Sequence, residues 1–283
     1  MSTLERVADI AGGYPLDAAP DVADAVEWHH LASGVRQRFR ALEAFLADVY
    51  GEGRAFDDGV LPWRLAFESE KFRREVTGLV PPNGVRIQVG SVALVRGEDG
   101  RFRVLGHNTS VPSGMIYHSE YPSRLLGALR AAAPYGVADP FAVVLSAGEH
   151  PPLTGVDLVE GHDLSCHQNR VYLRGKRQVD VIYRLVDDDW LDPLHFRPDS
   201  VLGCPGLLNA ARSGTVTIAN AIGNGIADDT LVRPCLPALI RYYLGEEPLL
   251  GAVEPGRQEA GLRLFAVNDG TNVWVLPGEP SGG

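Results

Sequence analysis

The amino-acid sequence predicts an α/β fold, and three observations carry that prediction. Short apolar runs at 141–145, 179–183 and 216–219 alternate with helical stretches, the order that builds a parallel sheet covered by helices. Two pairs of β-rich segments, one early and one near the end, each flank a polar turn containing glycine. A long amphipathic helix precedes the first pair. With 283 residues the chain has room for one large α/β domain or two ordinary ones and can bury a sizeable core.

Taken in order, Val35, Phe39, Leu42, Phe45, Leu46 and Val49 recur at steps of three and four, with Arg36, Arg38, Arg40 and Glu43 on the opposite side. This spacing predicts a helix over 36–50, ended near Gly51. The runs 85–95 and 101–105 bracket Gly97, Glu98, Asp99 and Gly100, a hairpin signature. The three central apolar runs read as strands of the parallel sheet, and 207–212 and 237–244 are the helical stretches between and after them. The runs 262–267 and 272–276 around Asn268, Asp269, Gly270 and Thr271 predict a second hairpin. Gly and Pro together make up 52 residues, 32 and 20 respectively, so many short elements joined by tight turns are expected.

Acidic residues outnumber basic ones 36 to 26, and the net charge of -10 repels phosphate backbones and anionic lipid heads. Nucleic acid and membrane surfaces are therefore not expected partners. No apolar run approaches the length of a membrane span, and acidic and polar residues stand where a signal peptide needs an apolar stretch, which points to the cytoplasm. Cys166, Cys204 and Cys235 are odd in number and widely spaced, which suits buried thiols rather than a disulfide framework or a metal knuckle. The eight histidines show no metal-ligand spacing; His162, Cys166 and His167 come nearest to a cluster. Neither a G-x-S-x-G elbow nor a phosphate-binding P-loop occurs. Lys71 and Lys176 are the only lysines, so point-charge lysine chemistry is scarce.

Three segments combine residue types that can carry chemistry. Asn108 to Gly114 leaves the first hairpin with Asn108, Ser113 and Gly114, which can present a carboxamide and backbone N–H groups to an anion, or form a plain loop. Arg184 with Asp187, Asp188 and Asp189 stands at a strand's C-terminal end, where open α/β sheets bind ligands; the alternative is a solvated acidic turn that caps the next helix. Asn220, Gly223 and Gly225, before Asp228 and Asp229, form a G-x-G turn that permits close backbone approach, yet lacks the third glycine of a dinucleotide fingerprint.

Together these segments resemble the circularly permuted ATP-grasp family, similar to the glutathionylspermidine synthase and glutathione synthetase group of ligases. The resemblance is carried by 37–51 (QRFRALEAFLADVYG), 58–62 (DGVLP), 94–100 (LVRGEDG), 108–114 (NTSVPSG), 158–164 (LVEGHDL), 179–200 (VDVIYRLVDDDWLDPLHFRPDS), 202–208, 219–229 (ANAIGNGIADD) and 239–250 (LIRYYLGEEPLL), in the family's order. It implies an incomplete ATP-grasp lobe plus a central α/β substrate-type domain: 1–135 in the first lobe, 136–250 central, and 251–283 a hairpin and tail returning to the first lobe. It further implies ATP and Mg²⁺, an acyl-phosphate formed on a carboxylate, and attack by an amine. By resemblance Arg184 is the catalytic candidate, Asp187, Asp188, Asn220, Gly223 and Gly225 bind substrate, Asn108, Ser113 and Gly114 are the relic of the phosphate side, and Asn108 is the retained metal ligand.

The chain departs from that family pattern in one direction. The first hairpin strand carries Ala93 in place of an Asp, and the second Gly106 in place of a Glu. Ser110 replaces the loop's usual Arg, and the paired arginines of the middle strand reduce to Arg184 followed by Leu185. The long segment that supplies a Gly-rich loop and lysines shrinks to about a dozen residues between Leu250 and Leu262. The expectation is a degenerate homologue that binds a small carboxylate or amine, or a full-length ATP-grasp paralogue; the alternatives are an active ADP-forming ligase and a shortened, non-functional member.

Overall fold

The computed structural model describes residues 22–112, 114–115, 122–147, 155–253 and 261–278. It opens with α1 (Ala25–Val49), followed by the short helices α2 (Arg54–Asp57) and α3 (Arg64–Glu68). The first hairpin is β1 (Val89–Arg96) and β2 (Phe102–Asn108), then come α4 (Pro122–Ala131), β3 (Ala142–Leu145) and β4 (Asp157–Val159). Strands β5 (Leu164–His167), β6 (Arg170–Leu173), β7 (Arg177–Val179) and β8 (Val181–Arg184) lead to α5 (Asp188–Leu191) and α6 (Leu207–Arg212). The chain closes with β9 (Thr217–Ala219), α7 (Leu236–Leu244), β10 (Leu262–Asn268) and β11 (Val273–Pro277).

Helix α1 begins eleven residues before the predicted start at 36. Asp24 caps it by accepting hydrogen bonds from the N–H groups of Val26 and Glu27. The early turns were illegible because His29, His30 and Ser33 interrupt the apolar repeat; Trp28, Leu31, Ala32 and Val35 are nevertheless buried. Gly34 is required there, since a Cβ would stand 2.4 Å from Cγ of Leu250. Helix α7 packs along α1, and its Tyr243 hydroxyl donates to Asp48 at 2.7 Å.

Two hairpins distant in the chain form one antiparallel sheet in the order β11-β10-β1-β2. The pairing of β1 with β10 sets Ala93 opposite Arg263, while the pairing of β1 with β2 sets Ala93 opposite Gly106, beside an irregularity between Ala93 and Leu94. Val92, Leu94, Leu264 and Ala266 join α1 in the larger core. Gly90 allows that packing, because a Cβ would lie 2.0 Å from the Phe39 ring. On the opposite face Val89, Phe265 and Val267 pack with α4 and with Ala142, Val144, Val181 and Tyr183 of a second sheet.

That second sheet is parallel, order β4-β3-β8-β9, as the three central apolar runs predict, with β4 added at its edge. The sequence reading missed the third sheet, β5-β6-β7, an antiparallel meander. Its strands are short and half exposed, so their periodicity is weak, but Gln168 and Asn169 and then Arg174 and Gly175 all take positive φ, the conformation of tight hairpin turns. Cys166 on β5 approaches Cys204 with sulfurs 3.7 Å apart, a proximity their spacing in the sequence conceals. Among the described residues no helix is long and apolar enough to cross a membrane.

Candidate functional site

The site is built where two loops cross above the ends of β1, β2 and β9. Residues 108–112 leave β2, and residues 220–229 leave β9. Three side chains hold them together. Asn220 is fully buried; its Oδ1 accepts from the N–H groups of Gln88 and Val89, both at 2.9 Å, and its Nδ2 donates to the carbonyls of Val89 at 2.5 Å and Thr109 at 2.9 Å. Asn224 donates from Nδ2 to the Arg86 carbonyl at 2.8 Å and the Thr109 carbonyl at 3.0 Å. The Asp228 carboxylate accepts four hydrogen bonds, from the N–H and hydroxyl of Thr109 at 2.7 and 2.9 Å and from those of Ser110 at 3.0 and 2.6 Å. Burial still raises its pKa above the ordinary carboxylate value.

Asn108 is engaged by its own loop. Its Oδ1 accepts from the N–H groups of Ser110 and Val111, and its Nδ2 donates to the Val111 carbonyl at 3.0 Å, the arrangement of an Asx turn. Gly114 has φ 110, and a Cβ there would lie 3.3 Å from the Phe265 ring and 3.6 Å from Nη1 of Arg263. Ser113 lies outside the described residues. The sequence missed Lys71, one of only two lysines: its stem crosses Gly225, with Cβ and Cδ 3.5 Å from where a Gly225 Cβ would be, beside Ser110.

Arg184 and Asp188 come together as expected of one cluster, but they face inward. Arg184 is 0 % exposed; it donates to the carbonyls of Asn220 at 2.9 Å, Val186 at 2.8 Å and Ala221 at 3.2 Å, and its Nη2 stands 2.7 Å from Asp188 Oδ1. The other Asp188 oxygen accepts from the Gly223 N–H at 3.0 Å. Gly223 is held in turn by the Tyr50 hydroxyl, which donates to its carbonyl at 2.8 Å and accepts from the Arg73 N–H at 3.2 Å. With φ 93, and with a Cβ position only 2.7 Å from the Tyr50 ring, this turn requires glycine. Asp189 pairs with Arg73 at 2.7 Å, whereas Asp187 is exposed and sits at the helix N-cap without making a side-chain cap. The acidic run is thus neither one solvated turn nor one pocket.

The sheet face beside the crossing has a different character. Arg263, Ala93 and Gly106 form one row across β10, β1 and β2. Arg233 reaches over the edge strand, with Nη1 3.4 Å from the position of a Gly106 Cβ and Nε donating to the Asp228 carbonyl at 3.1 Å. On the opposite, α1-facing side of β2, buried His107 makes a 2.7 Å contact from Nε2 to the Ala227 carbonyl, and Arg38 of α1 donates from Nε to its Nδ1 at 3.4 Å. Burial, and then repulsion from Arg38, pushes the His107 imidazole down to about 3, so the ring is neutral and Nε2 carries the proton.

These residues do not fit Mg²⁺. A hard dication needs several oxygen donors, yet the row holds Ala, Gly and arginines, the Asn108 carboxamide closes its own turn, and among the described residues no three His, Cys, Asp or Glu side chains gather to hold a metal. A cleft of about 540 Å³ lined by Glu27, His30, Phe102, Arg103 and Gly251 lies by the turn of the first hairpin, away from the loop crossing.

Known proteins place this geometry. The family described as "A circularly permuted ATPgrasp" matches residues 118–264, and "Circularly permuted ATP-grasp type 2" matches residues 20–120. An uncharacterized protein of Mycobacterium tuberculosis is 46% identical over 307 aligned residues, covering 95% of this chain and 56% of its own length. One from Synechocystis sp. is 39% identical over 276 residues, covering 85% and 57%. A Frankia casuarinae protein provisionally named glutamate–cysteine ligase 2-2 is 38% identical over 278 residues, 85% of this chain but 32% of that protein. The chain therefore spans a little over half the length of the first two relatives and about a third of the last. With the paired hairpins, the parallel sheet and more than half of the residues matched by one family, the chain belongs to the circularly permuted ATP-grasp family.

Proposed function

We propose that this chain is a ligand-binding ATP-grasp lobe that does not by itself form ADP. One observation carries the reading: among the described residues the row at Ala93 and Gly106 offers no carboxylate, and the adjacent arginines disfavour a divalent cation there. When bound in this family, Mg-ATP supplies an activated phosphoryl group. In this chain Arg184, Asp188, Asn220, Asn224 and Asp228 act as positioning residues that fix the two crossing loops, and Lys71 and Asp187 are exposed polar groups near them. The ligand is a small carboxylate or amine, or the corresponding surface of a longer ATP-grasp paralogue.

The test is ADP release by the purified chain with Mg-ATP, a panel of amino acids as carboxylates and a panel of amines. No release above the rate without substrate is expected. Release that depends on both substrates would overturn the proposal and make the chain a ligase.

A further inference from the structure

Cys166 and Cys204 stand 38 residues apart in the chain, yet their sulfurs are 3.7 Å apart, a separation into which no third atom fits. Both are free thiols. Strand β5, at the edge of the meander, presents Cys166 half-exposed, whereas Cys204 is 1 % exposed. The contact is fixed from both sides. The Cys204 N–H donates to the Leu191 carbonyl at the end of α5 at 3.0 Å, and the fully buried Asp192 accepts from the N–H groups of Gly206 at 3.0 Å and Leu208 at 2.9 Å. Gly206, with φ 91, lays its backbone against Cys166, since a Cβ there would stand 3.1 Å from the Cys166 Cβ. Among the described residues no third His, Cys, Asp or Glu side chain completes a metal-ligand set with the pair. Two thiols in contact, one of them open to solvent, supply the two parts of oxidative pairing, an attacking sulfur and a resolving one.

We propose that Cys166 and Cys204 form an oxidative modification site, which closes to a disulfide and latches the meander onto the turn between α5 and α6. The oxidant is a peroxide. The Cys166 sulfur takes one peroxide oxygen as the O–O bond breaks, which gives a sulfenic acid and one water. The Cys204 sulfur then displaces that oxygen to form the S–S bond, and the hydroxyl leaves with the Cys204 proton as a second water. Two thiols together give up two electrons, and one peroxide is reduced to two waters. The proton shared with Cys204, and then burial, hold the Cys166 thiol above its ordinary value, so the pair stays reduced until it meets sustained oxidant. The link reaches beyond the two residues. The Cys204 backbone hangs from the end of α5, and α5 carries the Asp188 that holds the Gly223 N–H at 3.0 Å. Oxidation thereby stiffens the support beneath the crossing loops, whatever those loops bind.

Hydrogen peroxide treatment of the reduced full chain, freed of reductant, tests the site by peptide mass mapping and thermal melting. The folded chain is expected to yield one linked peptide pair, Cys166 with Cys204, two hydrogens lighter than the reduced pair, while Cys235 stays unlinked. The melting midpoint should rise by roughly 5 °C, since a cross-link over such a loop restricts the unfolded chain, and dithiothreitol should return it. Cys204→Ser removes the resolving thiol, so peroxide should leave Cys166 as a sulfenic acid that dimedone captures, with no gain in melting midpoint. Cys235→Ser should link as the wild type does. If Cys204→Ser fails to melt cooperatively, the linked peptide of the wild type still decides the pairing. Survival of both thiols under sustained peroxide, a link that involves Cys235 or a second copy of the chain, a link that forms only in urea, or a linked chain whose melting midpoint does not rise would each overturn the proposal.

Discussion

At the scale of the residue, the same side chain can be legible in type and illegible in role. Arg184 and Asp188 stand out in the sequence as a cation and an acid at a strand end, the place where such sheets bind ligands. Their burial, and two of the three carbonyls that Arg184 holds, depend on loop 220–223 folding onto that strand end, which no local pattern encodes. A buried pair is costly to break from one side. Asp188→Ala should destabilise the chain by about 3–5 kcal/mol, because Arg184 is left as an uncompensated buried charge. Urea unfolding of Asp188→Ala checks this; a loss below about 1 kcal/mol would show that the carbonyls alone satisfy Arg184. Lys71 shows the reverse: its rarity was visible, but its place over Gly225 was not.

At the scale of the element, helices and hairpins were read where an unbroken period ran. The apolar repeat of α1 from Val35 to Val49 and the two turn-flanked strand pairs are of this kind. The first ten residues of α1 and the meander of β5, β6 and β7 were not, since small or half-exposed residues blur the period and tertiary packing decides them. The contact of α1 with β1 depends on a missing side chain at Gly90. Gly90→Val should destabilise by about 1–3 kcal/mol through the clash with Phe39, and Phe39→Ala in the same chain should recover part of that loss. Strictly additive destabilisation in the double variant, measured by thermal unfolding, would show that the two positions do not compete for the same space.

At the scale of the whole molecule, acid stability reports how α1 meets the backbone ahead of β1. The Glu43 carboxylate accepts from the N–H groups of Arg86 and Ile87, yet burial raises its pKa from 4.5 to about 7. The folded state thus keeps a proton that the unfolded state has lost, so this contribution is full below pH 4.5 and lost as pH rises through 7. His107, lowered from 6.5 to about 3, acts in the opposite sense, adding stability as pH rises from 3 to 6.5. The two slopes oppose each other between pH 4.5 and 6.5. Glu43→Gln should remove the falling limb, and the stability of the wild type relative to the variant should drop by ~2 kcal/mol from pH 4.5 to 7. Urea midpoints at three pH values decide it; parallel curves for the two proteins would show that Glu43 does not titrate in this range. What the sequence by itself determined is the α/β class, the family, the two hairpins and the parallel strands, because periodicity, turn chemistry and motif order are local properties. Only the tertiary structure decided that Arg184 is sealed inside, that Asn220, Asn224 and Asp228 clamp the crossing loops, and that Arg233 reaches over Gly106. These depend on strand register and loop crossings between segments far apart in the chain, and on burial, which sets whether a charged group is a clamp or a ligand site.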